Sequence, residues 1–180
     1  MRHKMVWGLN LAVLILLVAF YYVPKTAATM IPLSTKNLTS EATLIIVGNV
    51  RHLKSEWSEE KKSIYTVATI TVQKTIKGKA ADKTLKIIYE GGEIDGIGMR
   101  VSDIAIPDVG DRVLLFLKPA NARKLERLYT NVGKAQGQYK IGRDGIARKA
   151  GYTVEGSLKD IDNNLPLEVL IEKIKNVMDE

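Results

Sequence analysis

The sequence predicts a mainly β domain: antiparallel sheet with one α-helix packed on it at the C-terminal end, preceded by an N-terminal hydrophobic helix. Three observations carry this. Between about residues 42 and 154 apolar and polar residues alternate, and Val, Ile, Thr and Tyr, which suit a pleated and half-buried surface, supply much of the pattern. Glycines and Gly–Asp pairs interrupt the alternation where strands end or turn. From Asn163 onwards the period becomes that of a helix.

The N-terminal helix follows from "MRHK" and the uncharged run of residues 5–23, "MVWGLNLAVLILLVAFYYV". Such a span cannot sit on a water-facing surface. Two readings stay open: a signal peptide cut after Ala28, with Thr26 and Ala28 at the small-residue positions, or an uncleaved anchor with the rest of the chain outside the cell membrane. The length is close to the ~20 residues that cross a bilayer, and Trp7, Tyr21 and Tyr22 sit where an aromatic belt would place them, which favours the anchor. Pro24 ends the helix, and residues 29–37 read as a polar spacer. The remaining segments divide into a β domain over 38–158 and a helical segment over 159–180.

Within the β domain, 42–53 is the first strand, with Gly48 marking a bulge or coil. Residues 63–78 give the second strand. Its even positions Ile64, Ala68, Ile70, Val72 and Ile76 form an apolar face, while Thr69, Thr71, Gln73 and Thr75 form a wet one. Residues 84–90 make a third strand. "RVLLFLK" (112–118) is apolar on both faces and belongs at the centre of the sheet. Residues 129–141 and 145–154 supply two or three more strands, with Gly133 and Gly137 punctuating the first. At the end, Leu167, Leu170, Ile171, Ile174, Val177 and Met178 form one helical stripe, with Asn164 as expected cap and Pro166 in the first turn. That stripe is expected to cover the sheet.

Composition excludes several function classes. The net charge is +7, but three of the 27 basic residues lie in 1–28, leaving 24 against 20 acids, spread among one another. This describes a solvated surface and not a nucleic-acid interface, which needs clustered Lys and Arg with interleaved aromatics. The chain has no cysteine, so it has no disulfide, no thiolate nucleophile and no sulfur-bound zinc. No cofactor and no metal is expected. His52 is the sole histidine past the leader, and no G-x-S-x-G element presents a serine to it. Asn37-Leu38-Thr39 is a glycosylation sequon on the exported side.

"EGGEIDGIGMR" (90–100) holds Gly91, Gly92, Gly96 and Gly98 with Glu90, Glu93 and Asp95. A phosphate cradle would run into a helix, yet the following residues carry strand and turn spacing. The acids lack the alternate spacing and closing bidentate group of a calcium loop. The stretch therefore reads as sheet hardware, with at least one of Gly92, Gly96 and Gly98 at positive φ or in close backbone contact.

Taken in order, "SEATLIIVGNV", Trp57, "IYT", "V-x-K-x-I-K-G", "GGEIDGIGMRVSD", "VGDRVLLFL" and "VGKAQGQYKI" resemble an uncharacterised domain of exported prokaryotic proteins, over about residues 38–142. The opening, a strand ending in "V-G-x-V" and a long strand leading to "K-G", is similar to netrin-like modules and tissue inhibitors of metalloproteinases. The resemblance implies a five-stranded OB-type barrel. Those inhibitors chelate zinc through an N-terminal cysteine, which this chain lacks, so neither the mechanism nor any site residue carries over. OB barrels bind on the face of strands two and three and in adjoining loops, which would bring Trp57, Arg100 and the 91–98 loop to a partner. The expectation is a non-catalytic binding or interaction module with a protein partner. A structural subunit of a surface assembly and a hydrolase without a recognisable motif are the alternatives.

Overall fold

A computed structural model of the chain describes residues 31–120, 127–149 and 161–180. They form an eight-stranded sheet, a separate two-stranded hairpin and two α-helices. Among the described residues no helix is long and apolar enough to cross a membrane; the 5–23 span and the Ala28 cleavage position lie outside them.

The alternation in the second predicted strand organises the first half of the sheet. β1 (Leu44–Trp57) and β2 (Ile64–Lys77) pair antiparallel along their length, and Ile64, Thr66, Ala68 and Ile70 of β2 are buried while the residues between them are half-exposed. The register shifts at Val47/Gly48, the bulge expected there; a Cβ on Gly48 would lie 2.6 Å from Thr71 O. β3 (Thr84–Glu90) continues the meander on β2. β4 (Gly92–Ile94) and β5 (Ile97–Met99) then form the two-stranded hairpin.

β6 (Arg112–Pro119) returns to the start of the sheet. It pairs with β1 through Leu44↔Leu117 to Asn49↔Arg112. Its other side is shared: residues 117–119 pair with β7 (Leu128–Asn131), and residues 112–115 with β8 (Gln138–Ile141). β7 runs parallel to β3, but only Lys86↔Leu128 and Ile87↔Tyr129 pair. The pairings thus run β1–β2–β3–β7–β6 and back to β1. β9 (Ile146–Lys149) and β10 (Leu165–Pro166) extend the sheet beyond β8.

Two cores result, because alternate residues of β1 and β6 point to opposite faces. Leu44, Ile46, Val113, Leu115 and Leu117 join Ala68, Ile70, Leu85, Ile87, Tyr89 and Tyr129 in one cluster. Ile45, Val47, Leu114 and Phe116 join residues of two helices, α1 (Thr35–Glu41) and α2 (Leu167–Met178), in the other. Val113 to Leu117 are all 0% exposed, as a strand apolar on both faces requires.

Two segments differ from the sequence expectation. The end of the 29–37 stretch read as spacer is helical: Ser34 caps α1 by accepting from the Asn37 N–H, and Leu38 is 0% exposed against α2 and β6. One buried leucine in seven residues is too little to show a period. Residues 129–141 divide at the glycines expected to punctuate them: a 3-10 turn at Lys134–Gly137 separates β7 from β8, so that each takes part of β6, and β9 brings the strands to three. Asn164 does not cap α2. It sits at φ +55, and Leu165–Pro166 stays extended because it pairs with Ile146 and Ala147, with the Leu167 N–H donating to Gly145 O. The helix still covers the sheet through Leu167, Leu170, Ile171 and Ile174. Of the strand expected over 145–154, residues 150–154 lie outside the described residues.

Phe116 carries the largest test of this arrangement. Phe116→Ala should lower stability by about 3–5 kcal/mol in urea unfolding, since it empties the space under both helices, whereas Val109→Ala at an exposed turn should change it by less than about 0.5 kcal/mol.

Candidate functional site

The parallel contact between β3 and β7 ends after two residue pairs, and beyond it the strands separate. Gly91 N–H donates to Ile64 O on β2, so by the alternation of an antiparallel ladder Ile88 and Glu90 direct their backbone groups to the other side, into the gap. A cleft of about 410 Å³ occupies it. One wall is Ile88 and Glu90 with Tyr65, which pairs opposite Glu90. The facing wall is Lys118 and Thr130, a cross-strand pair of β6 and β7. Ile104 and Ala105 close one end.

The floor is polar and buried. Tyr89 donates to Gln138 Oε1 at 3.0 Å, Asn131 Nδ2 donates to the same oxygen at 3.1 Å, and Gln138 Nε2 donates to Ala105 O at 3.0 Å. Burial pushes the Tyr89 phenol up from its ordinary value, offset only in part by Asn131, so it stays a protonated donor. Asn131 Oδ1 is buried without a hydrogen-bond partner. At the rim, Lys134 pairs with Asp103 at 3.1 Å, and the Ser102 hydroxyl together with Lys134 holds the Asp103 carboxyl below its usual value.

The residues singled out in the sequence lie elsewhere. Trp57 ends β1 opposite Ile64 and is half-buried; Arg100 follows β5 and is exposed; neither lines the cleft. Asp95 and Gly96 are the two central residues of the β4–β5 turn, at φ +51 and +76, the type I′ pattern of Asp-Gly hairpins. Gly92 has φ +136, and a Cβ there would lie 2.2 Å from Thr66 Oγ1. Gly91 also has positive φ, whereas Gly98 has neither positive φ nor a close neighbour. Asn37 is exposed on α1, with Leu38 and Thr39 of the sequon buried. His52 is exposed on β1 opposite Thr69. Among the described residues no three His, Asp or Glu side chains gather as a metal site would require. Compared with known protein families and with curated proteins, the chain matches none.

The wall residues Tyr65, Ile88, Glu90, Lys118 and Thr130 gave no sequence signal because they are outward positions of ordinary strands. Only the early end of the β3–β7 pairing, a register fact, turns them into a site. Replacement of Gly92 by Val should destabilise the fold by about 1–3 kcal/mol, from backbone strain and the clash with Thr66, while Glu93→Ala on the same hairpin should stay within about 0.5 kcal/mol in thermal unfolding.

A second polar cluster joins the start of the domain to its end. Gln136 accepts from Leu33 N–H at 2.7 Å and donates to Ile31 O at 3.0 Å. Its own carbonyl accepts from the Lys149 ammonium, which lies 4.1 Å from the centre of the Tyr139 ring. Burial opposes charge on Asp162 too, but hydrogen bonds from Lys173 at 2.5 Å and Thr35 at 2.7 Å hold that carboxyl below its ordinary value. Burial lowers Lys149 from 10.5 to about 7, only partly countered by Asp162. Between about pH 7 and 10.5 the unfolded chain therefore binds the proton that the folded chain releases. Stability from this group should rise with pH through that window. Urea midpoints at pH 7, 8 and 9 should climb, and Lys149→Met should flatten the slope; Tyr89, with its raised value, opposes only as the unfolded phenol ionises near pH 10.

Proposed function

We propose that the chain is an exported, non-catalytic binding module of OB type, tethered outside the cell membrane by residues 5–23, and that its ligand sits in the cleft between β3 and β7. One observation carries the reading: five strands whose pairings return to the first, with a single seam left open over a buried polar floor. A partly open five-stranded barrel is the OB arrangement, and small-molecule and cofactor sites favour concave, mostly apolar clefts with few polar groups. The fixed position of Ile31 and Leu33 against Gln136 supports a short tether. Residues 24–30 reach at most about 25 Å when extended, so the domain would work close to the bilayer.

Fractionation and crosslinking test both halves of this reading. The full-length chain should remain with membranes at high salt, and a photoreactive residue at Tyr65 should give an adduct of defined mass in cells where one at Thr75, exposed on the same strand, gives none. A mature chain beginning at Thr29 in the medium removes the anchor. Equal adducts at both positions, or none at Tyr65, removes the cleft.

A further inference from the structure

The cleft carries opposite charges on opposite walls. Glu90 projects from β3 and Lys118 from β6, both exposed at the rim, and neither makes an ion pair among the described residues. The other rim cation, Lys134, is already engaged by Asp103. The lining shared with these two charges includes the largely apolar side chains of Tyr65, Ile88, Ile104 and Pro119. Such an arrangement complements a molecule with a cation at one end, an anion at the other and an apolar body.

We propose that the cleft takes a small amphipathic zwitterion of the amino-acid or short-peptide class. Its ammonium faces Glu90, its carboxylate faces Lys118, and its apolar side chains rest on Tyr65, Ile88 and Ile104. The floor favours a peptide over a single amino acid. Asn131 is 7% exposed and its Oδ1 lacks a partner, and a buried acceptor of this kind calls for a donor that the protein itself does not supply. The amide N–H of a dipeptide is such a donor. Beyond the last β3–β7 pair, the Ile88 carbonyl and the Glu90 backbone face the gap and offer groups on which an extended dipeptide can pair as a short added strand. The volume, about 410 Å³, falls in the range of small-ligand sites, roughly 300–1,000 Å³, and leaves no room for a folded partner. This assignment rests on the cleft being the binding site.

The test is calorimetric titration of the full chain in detergent with leucyl-leucine, leucine, 4-methylpentanoate and N-acetyl-leucine-N-methylamide. Leucyl-leucine should bind best, leucine more weakly, and the singly charged and uncharged compounds weakest. Lys118→Gln and Glu90→Gln should each weaken leucyl-leucine on the order of fivefold, the effect of one rim ion pair, and Lys118→Arg should restore it. Both side chains are exposed, so folding is not at stake, and the comparison of blocked and unblocked ligands on the unaltered chain tests the charges without any variant. Equal binding of the uncharged compound, no binding of leucyl-leucine, or indifference to both variants overturns the assignment. If leucyl-leucine fails while the Tyr65 crosslink persists, the ligand class is wrong and the cleft stands; if the crosslink is lost as well, the cleft itself is wrong.

Discussion

Everything in this structure hangs on the pairing of Leu44–Asn49 with Arg112–Leu117. Both strands are buried on both faces, so each alternate side chain feeds a different core, and a slip of one residue would exchange the two sets wholesale. Few registers are so tightly specified. The inner set, Leu44, Ile46, Leu115 and Leu117, must meet β2 and β3, and the outer set, Ile45, Val47, Leu114 and Phe116, must meet α1 and α2. Burial of this kind contributes about 25 cal/mol per Å² on each face, with no polar partner needed except the backbone ladder itself.

That fixed pair also positions the cleft. β6 carries one wall through the Lys118↔Thr130 pair, while the other wall belongs to β3, which reaches β6 by way of β2 and β1 on one side and through the short contact with β7 on the other. β7 cannot follow β3 further because the chain must turn through Lys134–Gly137 and rejoin β6 as β8. Where the backbone ladder stops, Tyr89, Asn131 and Gln138 take over the closure with side-chain hydrogen bonds. An apolar filling there would have sealed the seam; a buried polar trio holds its two sides at a set distance instead.

The sequence made the sheet legible because its strongest strand is long and wet on one side only. Alternation from Ile64 to Ile76 fixes the face, and the unbroken "VLLFL" fixes the central strand. The amphipathic stripe from Leu167 to Val177 is equally plain. What could not be read were features set by pairing between distant segments. Leu38 becomes a core residue only because α2 lies over it, and Asn164 loses its capping role only because Leu165 finds Ala147. The cleft is the extreme case: Tyr65, Ile88, Lys118 and Thr130 are unremarkable surface positions until the parallel contact fails to continue past Ile87. Trp57 and Arg100 are named from the binding face that the OB resemblance implies, which says nothing about where this particular sheet opens.

The two-pair contact between β3 and β7 joins segments some forty residues apart, while the β1–β2–β3 meander is built from neighbours in the chain. Contacts of long sequence separation bear the largest loop-closure entropy and tend to form late. Held by only two residue pairs, this contact is the least demanding to reopen short of unfolding. The amides around Lys86–Ile87 and Leu128–Tyr129 would exchange with solvent well before those of β6. A ligand wedged between the strands would tax or reward that breathing directly, so its occupancy would be written into the exchange rates of a seam it hardly touches.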